Sequence, residues 1–358
     1  MPNTDPRVLA VLTLRDEGAF LIDWLAHHRA AGFTDFLVFS NDCRDGTDAM
    51  LDRLQAMGWL THVRNDGPHE KGPQWSALAH ADRHPLTAKA DWILVLDIDE
   101  YVNVHAGDRT VQALLAALPA ATAIPLTWRL FGNCGVRDYQ DRPVPQQFTR
   151  AAPAVMGWPW RAAMFKTLFR NDGSYGKLGV HRPRQPDRAR MAEQRWFDGS
   201  GRPLRPAFHT GRVFSDYGQD NYRLAQLNHY ALGAMESYLL KCDRGRANRE
   251  TSAFDMSYWT ERNFCSEEDR TILALADRTA PLRAELRADA VLGPLHAAAV
   301  AWRHARLESL LGEEVWRGLY GRLMMTPPAR PLDTAEHEIL ASHALRTRAE
   351  TKRDTGED

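Results

Sequence analysis

The chain has 358 residues, 44% of them hydrophobic and 25% charged, with a net charge of -1. That composition excludes a fibrous or mostly disordered protein, and the even charge balance without a dense basic run leaves no field to hold nucleic acid. Four scattered cysteines, Cys43, Cys134, Cys242 and Cys265, make no CxxC pair, which fits reduced cytosolic thiols better than a disulfide framework or a zinc cluster.

Val8-Leu9-Ala10-Val11-Leu12 predicts a first strand, buried on both faces. After the charged turn Arg15-Asp16-Glu17-Gly18, helical periodicity starts at Phe20 and sets Leu21, Trp24, Leu25 and His28 on one face with it, until Gly32 closes the helix. Phe36 to Phe39 predicts the second strand, and Asp45-Gly46-Thr47 a turn that caps a helix reaching about Met57. Leu60 to Val63 suits a third strand and Gln74 to Arg83 a third helix. Trp92-Ile93-Leu94-Val95-Leu96 predicts a fourth buried strand that ends directly in Asp97.

Strands alternating with helices predict an α/β, Rossmann-like, mainly parallel sheet covered on both faces. Ligands of such sheets bind beyond the carboxyl ends of the strands. Arg15-Asp16-Glu17, Asn41-Asp42 and Asp97-Ile98-Asp99-Glu100 each follow a strand, so all three are expected on one rim. Beyond Leu126 many aromatic, Gly, Pro and Arg residues predict irregular loops and short strands without a linker. From about Glu267 the chain turns rich in Ala, Leu and Arg, with helical periodicity through Leu310 and Leu319, a break at Pro327-Pro328 and a last helix over Asp333 to Arg346. The expected division is therefore a catalytic domain over 1–266, a helical C-terminal extension over 267–350 and a disordered tail over 351–358. The opening residues lack a signal sequence, and no run of about eighteen apolar residues occurs. The expectation is a cytoplasmic protein that meets a membrane only peripherally, through its acceptor.

Asp97 and Asp99, two apart at a strand end, carry the chemistry. A departing nucleoside diphosphate needs its negative charge neutralised, and carboxylate oxygens hold the Mn2+ or Mg2+ that does so. A neutral imidazole is also a ligand for such ions; His229 in Asn228-His229-Tyr230 comes first, with His181 and His209 behind it.

These residues sit within a recognisable series. Val11 to Glu17 with Phe20 to Leu25 and His28 resembles the opening of family 2-like and family 92 glycosyltransferases. Phe39 to Thr47 is similar to their second strand and its Asp-Gly-Thr turn, and Trp92 to Tyr101 to their Asp-x-Asp element. Trp128 to Gly132, Lys166 to Arg170 followed by His181, and Leu227 to Tyr230 with Ser237, Lys241 and Arg244-Gly245 resemble family 92 segments in the same order. The likeness covers about Val8 to Arg249. It implies a GT-A fold, a nucleotide-sugar donor (a UDP-sugar first), a divalent ion and inversion at the anomeric carbon. It implies metal binding by Asp99 and donor binding by Asn41 and Asp42 near the base or ribose; Arg15, Glu17, Gln74 and Asp97 are further candidates for the donor side. Gln194-Arg195-Trp196 departs from the family 2 Gln-x-x-Arg-Trp spacing, which weakens a processive synthase reading.

Transfer by single displacement to a glycan or other hydroxyl acceptor needs a base. Glu193 and Asp216 are the candidates, with Asp138 third. Lys166, Arg170, Lys241 and Arg244 are candidates to face phosphates, and Trp128, Trp158, Trp160 and Tyr139 to stack on an acceptor sugar. Two other readings stand beside this one: a sugar nucleotidyltransferase, and an inactive carbohydrate-binding or assembly protein on the same fold. The acidic, glycine-free segment Thr13 to Glu17 disfavours the first.

Overall fold

A computed structural model describes residues 5–245 and 256–355, with side chains to residue 346. Its centre is an eight-stranded sheet. The strands are β1 (Val8–Leu14), β2 (Asp35–Ser40), β3 (Thr61–Arg64), β4 (Trp92–Leu96), β5 (Glu100–Val104), β6 (Ala123–Leu130), β7 (Phe165–Arg170) and β8 (Ala225–His229). Their spatial order is β3-β2-β1-β4-β7-β6-β8-β5. β1 is parallel to β2 and β4, β2 to β3, and β6 to β8. β7 runs antiparallel between β4 and β6, and β5 antiparallel to β8 at the edge. The sheet is mainly parallel, and the four strands expected in the first hundred residues are all present, because each is a short apolar run closed by a polar turn.

Strand periodicity divides the core. Val8, Ala10, Leu12 and Leu14 of β1 pack on one face of the sheet, and Leu9 and Val11 on the other. Helices α1 (Gly18–Ala30) and α2 (Thr47–Ala56) cover the first face, and α3 (Pro73–Ala81) the second. Helix α4 (Met235–Arg244) follows β8, and the chain ends in α5 (Ala276–Ala288), α6 (Leu292–Leu311), α7 (Glu314–Met325) and α8 (Thr334–Thr355). The Asp45 carboxylate accepts the Thr47 N–H at 2.9 Å, and also the Gly18 N–H at 2.9 Å, so one side chain ties the starts of α1 and α2 together.

The C-terminal helices differ from expectation in two ways. Glu267 and Glu268 pair with Arg150 and Ala151 as a short strand, so regular helix begins only at Ala276. Helices α5 and α6 then lie against α1, and Leu286, Leu292 and Ala299 join the sheet's own core. Helix α1 is consequently buried on both sides, including Asp23 and His27 beyond the single face expected. Helix α8 runs to Thr355, into the segment expected as a disordered tail; 356–358 lie outside the described residues, as does Arg249.

The cysteines correct the sequence reading directly. Cys134 and Cys265, expected as reduced thiols, form a disulfide across 131 residues. Linear spacing carried no sign of it, because the loop after β6 meets the 263–268 segment only in the fold. The approach is close enough that a Cβ at Gly132 would collide with the Phe264 carbonyl. Among the described residues no helix is long and apolar enough to cross a membrane.

Candidate active site

Strand β7 bonds β4 only at Trp92 and Ile93, which leaves the carboxyl end of β4 open on that side. From there Asp97-Ile98-Asp99 carries the chain to β5. The β5–β8 register sets Glu100 opposite His229, and the Tyr230 N–H donates to the Asp99 carbonyl at 2.8 Å. This register brings His229 Nε2 to 3.8 Å from Asp99 Oδ2. The indole of Trp24, from α1, donates to the Glu100 carbonyl at 2.9 Å and fixes the start of β5.

The two aspartates face different surroundings. Asp97 Oδ1 accepts from the Gln74 amide at 3.2 Å, and Oδ2 from Lys166 Nζ at 2.8 Å. Lys166 is fully buried and also lies 3.4 Å from Glu100 Oε2. Burial opposes its charge, but Asp97 and Glu100 outweigh that and raise its pKa. Glu100 accepts the Asp97 N–H at 2.9 Å and the Trp128 indole N–H at 2.7 Å. Burial pushes the Glu100 carboxyl up to about 8, against the pull of Lys166.

Asp99 is bonded by Lys241 Nζ at 2.6 Å, and Lys241 also donates to the Ala231 carbonyl at 2.7 Å. Burial would raise the Asp99 carboxyl, but Lys241 and His229 together hold it well below the carboxylate range. Burial lowers the pKa of His229, whose Nδ1 is buried without a hydrogen-bond partner and whose ring lies 4.3 Å from that of Trp128. A neutral imidazole beside an ionised carboxylate is a pair of metal-ligand types. Among the described residues no group of three or more His, Cys, Asp or Glu side chains stands ready to hold a metal ion.

The other strand ends reach the same rim. Arg244 pairs with Glu17 and donates to the Arg15 carbonyl at 2.9 Å. Asp16, with φ +52°, is held by Arg44 at 2.7 Å. Asn41 is buried, its amide bonded to the Leu14 carbonyl at 3.0 Å and its carbonyl to Asn65 at 2.6 Å; Asp42 is exposed. Beside Asp99 opens a cleft, continuous with solvent, lined by Asp16, Glu17, Lys241 and Arg244 together with Tyr139 and the α6 residues Trp302 and Arg303.

Several expected residues stand elsewhere. Glu193 is exposed in a short 3-10 turn beside Gln194, which bonds Thr122 at the amino end of β6, the far end from Asp99. Asp216 is taken by Arg205 at 3.0 Å and Arg212 at 3.1 Å, and Asp138 is an exposed neighbour of Arg137. None of these three carboxylates lines the Asp99 cavity. His209 packs on Trp196. His181 lies near the site, 5.7 Å from the Trp128 ring, with Nδ1 at 3.0 Å from the Phe165 carbonyl; burial and Lys166 lower its pKa to about 4. Lys166, expected toward phosphate, is spent on carboxylates, and Arg170 lies over Trp92 at the amino end of β4. Of the aromatics expected to stack on a sugar, Trp128 is buried and Trp160 is exposed away from the cavity, while Tyr139 lines it. The sequence reading assigned no role to Glu100, Trp302 or Arg303. Glu100 was visible as the residue closing the aspartate motif; the α6 pair carried no local signal.

No curated protein matches the chain. Among solved structures it is similar to S. aureus TarS 1-349, with 13% identity over 46% of this chain and 47% of that one and a TM-score of 0.29. It is also similar to glucosyl-3-phosphoglycerate synthase from Mycobacterium tuberculosis in complex with Mn2+, UDP and glucosyl-3-phosphoglycerate, with 13% identity over 35% and 44% of the two chains and a TM-score of 0.23. The chain thus spans less than half the length of either structure. The family 92 glycosyltransferase model matches residues 10–194, a stretch that runs from within β1 through β7 and includes the Asp97-Ile98-Asp99 crossing. With more than half of its residues inside that match, the chain belongs to glycosyltransferase family 92.

Proposed function

We propose that this chain transfers a sugar from a nucleotide-sugar donor, a UDP-sugar first, to a hydroxyl of a glycan acceptor, inverting by single displacement. The observation that carries the proposal is the Asp99–His229 approach at 3.8 Å in a family 92 chain. A magnesium-type ion is commonly held by one or two carboxylates plus substrate phosphates, so a carboxylate and an imidazole are a sufficient protein share for Mn2+ or Mg2+. When bound, such an ion neutralises charge developing on the departing diphosphate. Lys241 and Arg244 lie beside Asp99 and Glu17, where guanidinium and ammonium groups suit phosphate oxygens. Asn41, Asp42, Gln74 and Asp97 make up the base and ribose side, with Arg15 and Glu17 at the end of β1.

Glu193, Asp216 and Asp138 do not line the Asp99 cavity, and none of them is proposed as the base. The test is thermal-shift screening of nucleoside diphosphates with and without manganese. A selective UDP shift that needs manganese and disappears in Asp99→Ala supports the proposal. An equal shift in that variant removes Asp99 from the site. Sugar binding without any metal-dependent turnover across a donor panel supports the inactive binding protein instead.

A further inference from the structure

We propose that the cavity beside Asp99 is an acceptor subsite that takes an anionic group, a carboxylate or a phosphate monoester, through Arg303 of α6. This rests on the donor reading above. Three carboxylates reach the cavity, and each has its own cation: Asp16 with Arg44, Glu17 with Arg244, and Asp99 with Lys241. Arg303 is the fourth cation there, and among the described residues it forms no ion pair. Its guanidinium lies 4.6 Å from the ring centres of both Phe20 and Tyr139, and Nη2 donates to Ser237 Oγ at 3.0 Å. Nε is buried with no hydrogen-bond partner, in a residue only 4% exposed.

A buried guanidinium with one hydrogen bond and no counter-ion is expensive to keep, and an anion brought by a ligand removes that cost. Burial also lowers its pKa, against the pull of Glu17, which already pairs with Arg244. The remaining wall suits the body of a sugar acceptor: Trp302, Tyr139 and Phe148 supply flat apolar surface. The acceptor side is favoured over the donor side by position. Glu17, Lys241 and Arg244 line the cavity with Asp99, so it adjoins the groups placed toward the donor phosphates, whereas Asn41, Asp42, Gln74 and Asp97, on the base and ribose side, do not line it. The C-terminal helices thereby take part in choosing the substrate.

The experiment measures binding of glucuronate, glucose 6-phosphate and neutral glucose to the full chain by calorimetry, with and without UDP and manganese. Wild type is expected to bind at least one anion about tenfold or more tighter than glucose, the gain a charged hydrogen bond supplies. A preference for either anion supports the subsite and says which group it takes. Arg303→Gln is expected to erase that preference, and Arg303→Lys to restore part of it, while UDP affinity stays unchanged. Equal binding of anions and glucose by wild type overturns the proposal, and that comparison needs no variant to fold. A loss of UDP affinity in Arg303→Gln, with anion preference kept, also overturns it by moving Arg303 to the donor. If wild type fails to bind UDP at all, the donor reading falls, and the anion comparison without UDP still decides the subsite.

Discussion

Lys241 Nζ lies 2.6 Å from Asp99 Oδ2, across 142 residues of chain. The ammonium is the counter-ion that keeps this half-buried carboxylate ionised, and it occupies an oxygen that a divalent ion would also seek. Asp99→Asn keeps the shape but removes the charge. Turnover of a UDP-sugar is expected to fall on the order of a hundredfold or more, as when one preorganised transition-state partner is removed. Initial rates over a manganese titration check this; wild-type rates in the variant would exclude Asp99.

The fully buried Lys166 serves two carboxylates, Asp97 and Glu100. Lys166→Met leaves Asp97 without its cation, and because that side chain is 38% exposed the cost is about 1–3 kcal/mol, below that of a fully buried pair. Urea unfolding is expected to show a loss of that size. Adding Glu100→Gln to Lys166→Met is expected to recover part of it only in alkaline solution, since below about pH 8 the Glu100 carboxyl already holds a proton.

Glu100 also gives stability a pH dependence. Its ordinary value is 4.5 and burial raises it to about 8 in the fold. Between these values the folded state holds a proton that the unfolded chain has released, so the contribution is complete below 4.5 and is lost as pH rises through about 8. The melting temperature is expected to decline across that window, and less so in Glu100→Gln. Parallel profiles for the two proteins would remove Glu100 as the cause.

The Cys134–Cys265 bridge closes a loop of 131 residues. Disulfides typically stabilise a fold by about 2–4 kcal/mol. Cys134→Ser with Cys265→Ser is expected to melt lower by the matching amount, and a reducing agent to lower the wild type but not the double variant. Unchanged melting under reduction would mean that the bridge is not a support of the fold.

What the sequence determined alone was whatever is local. β1, β2, β3 and β4 are apolar runs closed by polar turns, and their alternation with α1, α2 and α3 specified a mainly parallel sheet. Asp97-Ile98-Asp99 at the end of β4 was legible for the same reason, and the ordered motifs pointed to the family whose model matches residues 10–194. Tertiary structure decided which groups meet. The β5–β8 register put His229 beside Asp99, and Lys166 turned to Asp97 and Glu100 rather than to an open site. Helix α6, from far along the chain, brought Trp302 and Arg303 into the lining that Asp99 shares, and Cys134 found Cys265. Periodicity reports which face of an element is apolar, whereas pairing between distant elements depends on strand register and on which helix covers which face. Those are properties of the packed molecule, and no short window of residues contains them.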